Sequence, residues 1–291
     1  MNIPTRLLHF ILKLVGAKKI AMKGILNPHR SKEFRIPRFL KKEFHTVQSV
    51  VNNSELVTFS IRGKALSKHI IFLHGGAYTA EAGFYHWRFI KDVIKSTSYK
   101  LSFINYPLAP EHDYQVAHEM VFQAYKRLNA LNPNDDFVFM GDSAGGGFCL
   151  SFAQVLRNGK LLKLPEKMVL ISPWVDISMS NSEIAGLEKK DLLLDPESLL
   201  FCSQNFAGEL DLKEPIVSPL YGDMQDLNSI GIFVGTDEIL LPDCRKLRKK
   251  LMDSNTSFFY KEYEGMQHDW MILPIKERTI LLEDIVDYLK K

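Results

Sequence analysis

The chain has 291 residues, 46% of them hydrophobic, and a formal net charge of +3. That apolar content suits a core covered on both sides by helices, and one large α/β domain accommodates the length. A charge so small gives no case for a nucleic-acid partner, which would need a clustered basic face.

Residues 1 to about 43 are basic and helical in part, interrupted at Asn27-Pro28 and Ile36-Pro37. Leu7, Leu8, Ile11, Leu12 and Val15 recur at helical spacing and predict one apolar stripe. His9 and Lys13 break this stretch and no A-x-A-like cleavage site follows, so it does not read as a secretion signal. No run of 18 apolar residues occurs, which argues against a membrane span. Cys149, Cys202 and Cys244 form neither a disulfide framework nor a metal-like spacing. The expectation is a cytoplasmic protein without stable membrane insertion, with a surface-lying amphipathic helix as the minor alternative.

Strand signals at 46–51 and 56–61 flank the turn Asn52-Asn53-Ser54 and predict a hairpin. An alternating strand–helix pattern then runs from His69 to the end and predicts a mostly parallel sheet. The first strand of that pattern, 69–73, ends in His74-Gly75-Gly76-Ala77-Tyr78. A Gly-Gly turn there lets backbone N–H groups point into a cleft without obstruction by Cβ atoms. Strand 137–140 leads into Gly141-Asp142-Ser143-Ala144-Gly145, and a helix follows over 148–156. Strand, tight turn and helix around G-x-S-x-G are the context of a nucleophile elbow.

The pattern breaks between Pro173 and about Pro219, where Trp174, Asp176, a polar stretch and a helix over 196–206 interrupt a crossover. Inserted above the strand ends, this segment is expected to form a cap. Strand 230–236 follows and ends at Asp237. Lys246, Arg248, Lys249 and Lys250 interleave with Leu247 and Leu251, so they read as the solvated face of a helix. The strand 257–263 runs into a loop carrying His268, and a closing helix covers 274–289.

An activated serine needs an acid and a histidine, in that chain order. Asp237, at the carboxyl end of its strand, is the expected acid. Glu238 is expected to point to the opposite side, and Asp243 lies inside a helix. His268 is the only histidine after Asp237, and Asp269 reads as a solvated loop charge. The expected oxyanion donors are the N–H groups of Gly75, Gly76 and Ala144. Tyr78, Phe84, Tyr85 and Trp174 flank these loops as candidates to line a substrate pocket, with core packing as the competing reading.

His74-Gly75-Gly76-Ala77-Tyr78, the segment Tyr106 to Glu111, Gly141 to Gly146, the Asp237 segment and Gly265 to His268 resemble the hormone-sensitive-lipase-like microbial carboxylesterases. The likeness runs from about Lys68 to Leu289. It departs at Ala77, where that family has a third glycine, and at Pro107, where it has arginine. The resemblance implies an α/β-hydrolase fold in a single domain, with N-terminal helices (1–43) and the insertion (174–218) together forming a helical cap. It implies cleavage of short- to medium-chain carboxylic esters by Ser143, Asp237 and His268 through an acyl-enzyme, without metal or organic cofactor. A deacetylase, amidase or peptidase on the same triad is the alternative, and a non-catalytic binding module the remote one. The terminal helix over 278–289 either covers the sheet or forms a homo-oligomer interface, as in resembling esterases.

Overall fold

The computed structural model describes residues 3–64, 66–160 and 162–291. In them β1 (His45–Val51) and β2 (Ser54–Ser60) form the expected hairpin, followed by β3 (Lys68–Leu73), β4 (Lys100–Ile104), β5 (Asp136–Asp142), β6 (Lys167–Ile171), β7 (Ser229–Gly235) and β8 (Phe258–Tyr263). The strands make one eight-stranded sheet in the order β1-β2-β4-β3-β5-β6-β7-β8. β2 runs antiparallel to both β1 and β4; β4, β3 and β5 to β8 pair in parallel. This is the α/β-hydrolase architecture that the motifs implied.

Strand β5 explains why the sheet is central. Phe137 and Phe139 pack into one core with Tyr125, Phe148, Phe152 and Leu170, while Val138 and Met140 pack into the other with Phe72, Val169 and Phe233. Successive side chains leave opposite faces of a strand, and both faces of this one are covered, so its sequence is continuously apolar.

The covering helices are α1 (Ile3–Leu14), α2 (Ala17–Leu26), α3 (Arg38–Glu43), α4 (Phe84–Thr97), α5 (Tyr114–Leu131), α6 (Ser143–Gly159), α7 (Pro196–Ala207), α8 (Leu241–Met252) and α9 (Glu277–Lys290). Helix α8 buries Leu241, Cys244, Leu247 and Leu251 and leaves Lys246, Arg248 and Lys249 exposed. Helix α7 lies in the predicted insertion, capped by Asp195, whose carboxylate accepts from the Ser198 N–H at 2.8 Å, and α2 packs against it.

Helix α1 departs from expectation. Of its predicted stripe, Leu7 and Ile11 face solvent, as does Val15 just beyond it, while Leu8 and Leu12 are half-buried. The buried inward positions are Thr5 and His9. Periodicity specifies that a stripe exists but not which side of the helix the rest of the chain covers. Among the described residues no helix is long and apolar enough to cross a membrane.

The topology sets the site. Because β3 lies between β4 and β5, the turn after β3 and the turn after β5 emerge side by side at the carboxyl ends of the strands, where the sheet reverses its order of connection.

Candidate active site

At the end of β5 the chain turns sharply at Ser143, whose φ is 50°. Left-handed backbone costs a non-glycine residue about 1–2 kcal/mol, and it lifts the hydroxyl out of the sheet. Helix α6 then starts directly against β3. A Cβ at Gly145 would meet the Leu73 carbonyl oxygen at 2.0 Å, so no residue with a side chain lets the helix lie this close. The Trp174 N–H donates to the Ser143 carbonyl at 2.9 Å and anchors the turn from the insertion.

His268 is brought to the serine by the loop after β8: its Nε2 lies 2.9 Å from Ser143 Oγ. The group on the other ring nitrogen differs from the expected one. Nδ1 is 2.7 Å from Glu238 Oε2, and Asp237 makes no such contact. Glu238 is fully buried, and its Oε1 accepts from the Ser172 hydroxyl at 2.7 Å and the Gly235 N–H at 2.6 Å. Asp237 is only half-buried, its N–H donates to Met266 O at 3.0 Å, and its carboxylate acts electrostatically on His9 of α1. The expectation failed because β7 ends at Gly235 and residues 236–238 are bends. Beyond a strand, side chains no longer alternate sides. Asp243, the third carboxylate considered, accepts from Asn181 Nδ2 at 2.7 Å and is raised by burial to about 6.

Asp269 is a second departure. It is buried, and its Oδ2 lies 3.1 Å from His268 Nε2, the same nitrogen that faces the serine. Its other oxygen has no hydrogen-bond partner among the described residues. Burial raises its pKa to about 6, partly offset by the nearby imidazole. Burial alone would lower the pKa of His268, but Asp269 and Glu238 together hold it well above the ordinary histidine range.

The turn after β3 supplies donors. The Gly75 N–H does not remain free for an oxyanion: it donates to Asp142 Oδ2 at 3.0 Å. A Cβ on Gly75 would meet that same oxygen at 2.3 Å, so glycine is required there. Asp142 also accepts from His86 Nε2 at 3.1 Å, and the Gly83 N–H at 3.0 Å from His86 Nδ1 fixes that tautomer. The N–H groups of Gly76, Ala77 and Ala144 have no acceptor among the described residues. Ala77 takes a φ of 53°, a conformation that explains a glycine at this position in resembling sequences. His74 is structural: it stacks on Tyr106 at 4.7 Å, its Nδ1–H donates to Gly75 O at 2.6 Å, and burial lowers its pKa to about 4.

The turn is braced by the N-terminal segment. The Thr79 hydroxyl donates to Ile25 O at 2.8 Å, and Arg30 donates to the carbonyls of Thr79 and Ala109 while pairing with Glu111. The insertion is tied to the catalytic loops as well. The Leu192 N–H donates to Gln267 Oε1 at 2.6 Å, and Asp191 accepts from the Ile239 N–H at 2.9 Å. A cavity of about 500 Å³ opens between this segment and the α1–α2 connection, lined by Lys13, Gly16, Lys18, Glu188 and Asp191 among others.

Of the four candidate pocket residues, Tyr78 and Trp174 are buried and serve packing. Tyr78 stacks on Phe206 with centroids 3.7 Å apart and lies 5.9 Å from Trp174. Phe84 and Tyr85 are exposed at the start of α4, where Phe84 packs edge-on against Phe39 and Tyr85.

Comparison with known proteins supports the same fold. A family profile for the alpha/beta hydrolase fold matches residues 70–272. An esterase from Acinetobacter venetianus is 29% identical over 234 residues, covering 78% of this chain and 77% of the relative. An acetyl-hydrolase from Streptomyces hygroscopicus is 28% identical over 216 residues, 72% of each chain. The solved structure of a hormone-sensitive lipase from a metagenome library superposes with a TM-score of 0.83 at 24% identity, covering 97% of this chain and 96% of that one, and shares the fold. The chain therefore belongs to the alpha/beta hydrolase fold family, and esterases and hormone-sensitive lipases are among its relatives.

Proposed function

We propose that the protein hydrolyses short- to medium-chain carboxylic esters with Ser143 as nucleophile, His268 as base and Glu238 as the orienting acid. The observation that carries this reading is the unbroken relay from Ser143 Oγ to His268 at 2.9 Å and from His268 to Glu238 at 2.7 Å. His268 accepts the proton of Ser143 as the hydroxyl attacks the ester carbonyl, and Glu238 stabilises the imidazolium that forms. The oxyanion rests on the N–H groups of Ala144, Gly76 and Ala77, each such donor being worth about 2.7–4 kcal/mol of barrier. His268 then protonates the leaving alcohol, and water repeats the sequence to release the acid. The chemistry asks nothing of a metal or cofactor. Residues 1–43 and 174–218 act as the cap of a single catalytic domain.

A small acyl group is favoured by how little room remains. Ser143 is 6% and His268 4% exposed, and Tyr78 stacks on both Phe206 of α7 and Trp174. A panel of p-nitrophenyl esters tests this: kcat/KM is expected to peak at short chains and fall steeply by about ten carbons. A maximum at about ten carbons or longer would mean a lipase instead.

Asp269 gives the reaction a pH signature. The base must be neutral to act, so activity is lost as pH falls through the raised pKa of His268. The groups that face its ring are Glu238, Asp269 and, farther off, Asp191. Asp269→Asn is expected to move the acid limb of kcat/KM down by about one pH unit or more. A limb that stays in place or moves up would show that Asp269 does not hold the proton.

A further inference from the structure

We infer that the outward face of α1, continued onto α2, docks on an anionic lipid surface. Leu7, Phe10, Ile11 and Leu14 are 57%, 63%, 44% and 75% exposed. At about 100° per residue they fall within one arc of the helix. Val15 and Ile20 extend the patch, at 55% and 66% exposed. The polar residues Thr5 and His9 are the ones turned inward. The chain has therefore placed its most apolar stripe where water is, an arrangement that marks an interaction surface.

Charge identifies the occupant. The first 32 residues contain seven Lys and Arg and no Asp or Glu, while the whole chain carries only +3, so the remainder is net acidic. Arg6 and Lys13 flank the stripe on α1, and Lys18, Lys19 and Lys23 follow on α2. An apolar face bordered by cations of one sign suits an interface of acyl chains and anionic headgroups. A second copy fits worse, since a symmetric contact would set like charges against each other. The position is telling as well: Lys13 and Lys18 line the cavity that reaches Asp191, and His9 lies within the field of Asp237. Docking through α1 sets this cavity at the lipid boundary. Binding does not depend on the proposed hydrolysis and is read without it.

The test is flotation of the full chain with vesicles of phosphatidylcholine alone or mixed with phosphatidylglycerol. The protein is expected to float with the mixed vesicles at low salt, to detach at high salt, and to ignore phosphatidylcholine alone. Phe10→Ser with Leu14→Ser, and separately Lys13→Glu with Lys19→Glu, are each expected to cut the bound fraction by about tenfold. Because all four positions are exposed, the circular dichroism spectrum and Tm should match those of the unaltered chain. Three results would each overturn the inference: no flotation with the mixed vesicles, equal binding of either double variant, or a sedimenting dimer that the Phe10/Leu14 variant abolishes without any lipid binding.

Discussion

Replacing Ser143 by alanine lowers ester turnover by about four to six orders of magnitude, the expected loss when an activated nucleophile is removed from a triad. The fold should not notice. Alanine retains the Cβ and therefore the same backbone strain, and the hydroxyl's hydrogen-bond partner is His268. Tm and circular dichroism should match the unaltered chain, and labelling by a fluorophosphonate should vanish with the turnover. A variant that keeps turnover within about tenfold would remove Ser143 from the chemistry. Residual activity of the variant measures what the oxyanion donors do without it.

The second large effect separates two adjacent carboxylates. Glu238→Gln preserves shape but places an amide among three donors, the Ser172 hydroxyl, the Gly235 N–H and His268 Nδ1. The imidazolium also loses its counter-charge. A fall in kcat of about three to four orders of magnitude is expected, since a carboxylate-to-amide exchange at this position of a triad misorients the tautomer. Asp237→Asn, on a half-buried side chain, should leave kcat within about threefold. If Asp237→Asn is the damaging change and Glu238→Gln is tolerated, the acid assignment reverts to the neighbour.

That pair also shows where the sequence was readable. Ser143 and His268 were legible because each sits next to a regular element whose end is marked by composition: a buried apolar strand into a glycine-rich turn, and the last loop before the closing helix. Strands β3, β5, β7 and β8 were visible for the same reason. The carboxylate that meets His268 lay one residue away because reading an alternating pattern past Gly235 assumed extended backbone where the chain bends. Gly75 looked like a donor since its glycine is required, yet the requirement comes from the Asp142 carboxylate beside it. Asp269 was read as solvated because its burial, and the Asp142 carboxylate that acts on it, come from segments remote in sequence that local pattern does not reveal. Helix α1 carried a clear stripe, but solvent exposure is a property of the neighbours and not of the stripe.

The two anchors from the N-terminal segment have a mechanical consequence. Ile25 takes the Thr79 hydroxyl, and Arg30 grips the carbonyls of Thr79 and Ala109. Thr79 in turn closes the turn that begins at Gly76, through its own N–H to Gly76 O at 3.0 Å. Those anchors yoke the leading helices to the backbone proposed to receive the negative charge of the reaction. Anything that tugs on the front of the molecule, whether an adsorbing surface or a fused tag, is transmitted to that turn rather than absorbed by a loose hinge.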